Sequence, residues 1–109
     1  MSEGKRPEGG HPVAAVDETI HARVRLGVMA ILVAEGSRDF VALRRALGVT
    51  DGNLATHLRV LEAAGYVSFQ KDFIGRRPCT TYAATERGRQ ALAGYARAMA
   101  HLLASLPEA

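Results

Sequence analysis

The sequence predicts a mainly α-helical domain with one small β hairpin. Three observations predict it. Two short helical segments meet at a tight turn through Gly48 and Val49, a β-prone run recurs on both sides of GRRP, and a final segment carries apolar residues every three or four positions. A chain of 109 residues has room for one such domain and its core, and none for a second.

The elements follow in order. Residues 1–14 are rich in Gly, Pro and charge, too poor in apolar surface to offset the entropy of ordering, and are expected to form a flexible tail before a domain at 15–109. Asp17 can cap a first helix in which Ile20, Val24, Gly27, Val28 and Ile31 recur with the spacing of one helical face. Its later half carries Leu26, Met29 and Val33 on the other side, and a helix apolar on both sides is normally covered on both. After Gly36, Ser37 or Asp39 can cap a second helix with Phe40, Val41, Leu43 and Leu47, ending at Gly48. Thr50 can cap a third, where Leu54, Leu58 and Leu61 repeat at steps of four and three before Gly65. Tyr66–Phe69 and Thr80–Tyr82 read as the strands of a hairpin with a basic tip. Thr85 can cap a last helix, over about 85–106, whose Leu92, Tyr95, Met99, Leu102 and Leu106 form a coiled-coil-like seam.

Helix, short helix, capped helix, hairpin and long helix make a winged helix-turn-helix with a long C-terminal dimerisation helix. In that arrangement the third helix enters the major groove of DNA and the hairpin reaches the neighbouring backbone or minor groove. With its three leucines inward, a rotation of 100° per residue turns Gly52, Asn53, Thr56 and Arg59 outward. Asn suits adenine, Thr a thymine methyl or a phosphate, and Arg guanine or a phosphate. Thr50 and Gly52 stand where backbone amides meet a phosphate. His57 flanks this face, where it either touches a phosphate or packs at the helix edge. A polar helix face alone is commonly just solvated. The basic residues Lys71, Arg76 and Arg77, expected on one side of the hairpin, shift the balance towards DNA.

Composition narrows the remaining classes. The formal net charge is +3, and Lys occurs only at Lys5 and Lys71, so Arg dominates a balance that suits polyanions. Cys79 is the sole cysteine, which rules out an intrachain disulfide or a thiolate metal cluster. The nearby Arg77 would favour the Cys79 thiolate, but lone cysteines are mostly inert, so Cys79 is at most a minor candidate for redox sensing. His11, His21, His57 and His101 lack any pair at metal-ligand spacing, so no metal is expected. Neither a nucleotide-binding glycine loop nor a catalytic triad can be assigned. A non-enzymatic chain without cofactor is expected. The absence of a signal-peptide pattern and of a long apolar run points to a cytoplasmic, membrane-free protein.

TDGNLATHLRVLEAAGYV followed by GRRPCTTYAATERGRQAL resembles the MarR-like and ArsR-like winged-helix regulators. The likeness runs from about His21 to the C-terminus and is carried by His57, Leu58, Leu61, Glu62, Ala64, Gly65, Tyr66 and Val67. It implies a transcription regulator, usually a repressor, that binds double-stranded DNA as a homodimer through its terminal helices. Leu26, Met29, Val33, Leu92, Tyr95, Met99, Leu102 and Leu106 are the residues expected in that interface. The single cysteine departs from metal-sensing ArsR-like proteins. The short chain departs from MarR-like ones, so an effector site is expected to be small or absent and its effector is unknown. The rival reading is a winged helix that serves as a protein-interaction module.

Overall fold

The computed structural model describes residues 10–108; positions 1–9 of the expected tail lie outside the described residues. Its later part is not a tail. Pro12–Ala15 form a 3-10 turn, with the Val13 N–H donating to His11 Nδ1 at 3.0 Å, that packs against the last helix. Val16 already belongs to the core. Asp17 departs from expectation as well. Its Oδ1 accepts from the Ile20 N–H at 3.1 Å and its Oδ2 from the Tyr66 hydroxyl at 2.5 Å, so it closes a turn that seats the fully buried Ile20. The first helix, α1 (Arg23–Glu35), begins later, behind an extended Ala22 without a side-chain cap.

After α1 come the two-residue strand β1 (Arg38–Asp39) and α2 (Phe40–Leu47). Asp39 is the cap of α2, accepting from the Ala42 N–H at 2.8 Å. Gly48 ends α2 in the left-handed region at φ 64°, a conformation costly for any residue with a Cβ. Thr50 then accepts from the Asn53 N–H at 3.1 Å and opens α3 (Asp51–Ala63). Leu43, Leu54, Leu58 and Leu61 lie at 1 % exposure or less, so α3 buries the leucine face read in the sequence, whereas α2 buries Leu43, half-buries Phe40 and Leu47 and leaves Val41 exposed.

The hairpin is much longer than the alternation at Tyr66–Phe69 suggests. β2 (Val67–Ile74) pairs antiparallel with β3 (Arg77–Ala84), from Val67 opposite Ala84 to Ile74 opposite Arg77. Past Phe69 the strands are mostly solvent-exposed, so no apolar alternation advertises them. The loop is Gly75-Arg76, with φ 66° at Gly75 and no positive φ at Arg76, which identifies a type II′ turn. β1 adds to the other edge of β3, giving the order β1-β3-β2.

Thr85 accepts from the Gly88 N–H at 3.0 Å and opens α4 (Glu86–Ala104). Its hydroxyl also donates to the Gly65 carbonyl at 2.6 Å, which ties the start of α4 to the end of α3. Gly88 lets α4 approach closely, because a Cβ there would overlap the Tyr66 carbonyl oxygen. The core comprises Ile20, Val28, Met29, Leu32 and the three α3 leucines, with Tyr95 joining from α4.

Candidate nucleic-acid interface

The buried leucines of α3 set its rotation, and Gly52, Asn53, Thr56 and Arg59 are all exposed on the opposite side. Nothing lies within 4 Å of a Cβ built on Gly52, so this point of the helix stands open to a close approach. The side chains beyond it are ordered among themselves. Thr56 Oγ1 donates to the Gly52 carbonyl at 3.0 Å and accepts from Arg59 Nη2 at 3.3 Å. Asp51 brings negative charge to the amino end of α3, and Arg44 neutralises it across the turn at 2.9 Å.

His57 is half-buried at the edge of this face. Its Nδ1 lies 3.0 Å from Nη1 of Arg25 on α1, whose Nε donates to the Thr19 carbonyl at 2.6 Å. Burial first, and the Arg25 charge second, push its pKa below the ordinary histidine value. His57 therefore packs at the helix edge, one helical turn beyond Asn53.

The hairpin distributes its cations in a way the sequence does not reveal. Side chains opposite one another in an antiparallel pair share a face. The register puts Val67, Phe69, Lys71 and Phe73 with Ala84, Tyr82, Thr80 and Pro78. Arg77 falls on the other face, with Ile74, Asp72 and Cys79. Lys71 and Arg77 are thus not one cluster on one side, and Arg76 occupies the turn between the faces. The Lys71 face runs towards α3: Lys71 Nζ sits 5.9 Å from the Phe69 ring centre, and Phe69 stacks obliquely on Tyr82. Burial, then Glu62, hold the Tyr82 hydroxyl above the usual tyrosine range, against the opposing charge of Arg59. On the Arg77 side, Phe40, Val41, Arg45, Ile74 and Cys79 help to line an open groove of about 600 Å³ between α2 and the hairpin. Phe73 and Ile74, 67 % and 71 % exposed, give the basic tip an apolar component absent from the sequence-based reading.

The residues expected between subunits divide into two groups. Met29 is fully buried and Tyr95 nearly so, its hydroxyl 2.8 Å from His21 Nδ1. One protomer covers them itself, which corrects their assignment to an open seam. The N-terminal turns and the neighbouring Gly88 occupy the space beside them. Leu26, Val33, Leu92, Met99 and Leu102 are partly buried against the core, and Leu106 is exposed, as is Leu103, which the seam pattern passes over. Among the described residues no group of three or more His, Cys, Asp or Glu could hold a metal ion, and no helix is long and apolar enough to cross a membrane.

Comparison with known proteins places this geometry. The family described as winged helix DNA-binding domain matches residues 24–103. An uncharacterised protein of Methanocaldococcus jannaschii is 38 % identical over 72 residues, covering 66 % of this chain and 78 % of that one. The structure of a transcriptional regulator homologue from Pyrococcus horikoshii superposes with a TM-score of 0.77 at 29 % identity, over 84 % of this chain and 91 % of the other. A MarR family regulator from Neisseria meningitidis shares the fold at 18 % identity and a TM-score of 0.56, over 74 % and 56 % of the two chains. The family match spans the helix-turn-helix, the hairpin and nearly all of α4, the fold is shared with solved transcriptional regulators, and the chain belongs to the winged helix DNA-binding domain family.

Proposed function

We propose that this protein is a sequence-specific duplex DNA-binding transcription regulator that acts as a homodimer and represses. The observation that carries the reading is the outward face of α3, where Gly52, Asn53, Thr56 and Arg59 are exposed while Leu54, Leu58 and Leu61 anchor the helix. Such a face fits the major groove, with Asn53 offered to adenine and the Thr56 methyl to thymine. Thr50 and Gly52 approach the phosphate backbone at the amino end of α3. Arg76 at the turn, with Lys71 and Arg77 on the two hairpin faces, supplies charge to the backbone or minor groove alongside. Repression follows from a dimer occupying its operator and excluding other proteins. In the Bordetella bronchiseptica protein BpsR, a neighbour in fold, DNA binding is regulated by 6-hydroxynicotinic acid; the groove between α2 and the hairpin is where a small effector of this protein would fit.

Titration of an operator and a random duplex at several salt concentrations tests the proposal. Each phosphate contact steepens the fall of log affinity with log salt by about 0.9. Arg76→Ala with Arg77→Ala should flatten that slope by up to about 3.6 if all four side chains of a dimer touch phosphate. An unchanged slope on both duplexes removes the hairpin from the interface. A wild-type chain that binds no duplex even at low salt would instead favour a protein-interaction module.

A further inference from the structure

Arg25 and His57 are separated by 32 positions in the chain, and their contact carries chemical information about α3. A guanidinium has only donors and stays protonated in proteins. In the 3.0 Å contact between Arg25 Nη1 and His57 Nδ1, Arg25 must therefore donate and Nδ1 must accept through its lone pair. That leaves the ring neutral, with its single proton on Nε2. Arg25 cannot easily turn away, because its Nε is committed to the Thr19 carbonyl at 2.6 Å. Among the described residues the hydrogen bond of the His57 ring is the one at Nδ1, and Nε2 makes none. The ring stands half-exposed one turn beyond Asn53, on the flank of the outward face.

We propose that Arg25 is a positioning residue that holds His57 as a neutral Nε2–H donor, and that α3 offers this donor to a hydrogen-bond acceptor on DNA. The acceptor is a phosphate oxygen or a guanine N7 or O6 edge, which share the same demand for an N–H. The inference rests on the DNA-binding reading above. Arg25 is the charged group that faces the ring from α1. β2 also packs on α3, but its charged residues Lys71 and Asp72 lie four and five positions out from the buried Val67, along the projecting hairpin. Protonation of Nδ1 at low pH would set two cations against each other and break the contact. His57 thereby contributes a directed hydrogen bond in place of diffuse charge.

The test uses full-length protein and two readouts. Nitrogen-detected histidine NMR follows the His57 ring from pH 8 to pH 5, and fluorescence anisotropy follows binding to operator and random duplexes. In the wild type Nε2 should carry the proton and the ring should titrate below a free histidine. Arg25→Met should raise the midpoint towards the ordinary value, whereas Arg25→Lys, which keeps a cationic donor, should leave it low. His57→Ala should weaken binding by about tenfold for two lost hydrogen bonds per dimer, and His57→Gln, whose amide offers a donor near Nε2, should recover most of the loss. Equal loss on both duplexes identifies a phosphate, and loss of discrimination identifies a base. A midpoint unmoved by Arg25→Met overturns the positioning role, and undiminished binding by His57→Ala overturns the donor role. If the wild type binds no duplex, the DNA-binding reading falls and the donor role with it, while the NMR titration still judges Arg25 separately.

Discussion

At residue scale, Gly52 and His57 separate stability from binding. Gly52 has open space around its missing side chain, so Gly52→Ala should fold well and gain up to about 1 kcal/mol from better helix propensity. The same methyl group would stand between α3 and an approaching phosphate backbone. A higher melting temperature with weaker operator binding is expected, and unchanged binding would remove Gly52 from the interface. His57 makes a prediction about acid. Its folded-state pKa lies below the ordinary value of 6.5, through burial and then Arg25, so the unfolded chain binds that proton more readily. Stability from this group is fully present above about pH 6.5 and lost as pH falls towards the folded-state value. His57→Gln should flatten the acid side of a stability-against-pH curve measured by urea unfolding. A wild-type slope retained in the variant would assign the effect to other groups.

At element scale, the junction between the hairpin and α4 is closely packed around Gly88. The Tyr66 carbonyl accepts from the Thr85 N–H at 3.1 Å, and Gly88 lies so close to the same oxygen that a side chain there would overlap it. Relief of the clash requires backbone movement of the hairpin root or of α4. Gly88→Ala should therefore cost about 3 kcal/mol or more, at the upper end of overpacking effects. Thermal unfolding within a degree or two of the wild type would show that the joint yields. The contrast with Gly52→Ala is instructive, because both replace a glycine in the first turn of a helix. Packing alone gives the two substitutions opposite expected signs.

At the scale of the whole molecule, the protomer is extended. Its Cα radius of gyration is 17.2 Å, against about 13 Å for a compact domain of roughly one hundred residues. The hairpin projects on one side, and α4, at 19 residues, runs about 28 Å. Leu103 and Leu106, each 57 % exposed, continue past the part of α4 that the core covers. In the proposed dimer a second protomer covers them. Leu103→Glu with Leu106→Glu changes only exposed positions, so the fold should survive nearly unaltered. Sedimentation should then report a monomer, and operator affinity should fall because half-sites are engaged singly. A doubly substituted chain that still sediments as a dimer would place the interface elsewhere.

The starts of α2, α3 and α4, the outward face of α3 and the tight turns were legible in the sequence because their causes are local. Asp39, Thr50 and Thr85 each accept from an N–H three residues on, and Gly48 and Gly75 adopt positive φ within their own turns. The leucine spacing of α3 determined which residues it turns outward. What tertiary structure decided depends on partners far along the chain. Asp17 caps a turn ahead of α1, separated from it by the extended Ala22, and its second oxygen accepts from Tyr66, 49 positions away. Strand register, which no single segment encodes, sent Lys71 and Arg77 to opposite hairpin faces. Met29 and Tyr95 share the apolar period of neighbours that stay partly exposed, and only the docking of α4 and the N-terminal turns buries them. The charge and hydrogen-bonding state of His57 has the same origin: sequence places it beside the outward face of α3, but only the packing of α1 brings Arg25 to its Nδ1.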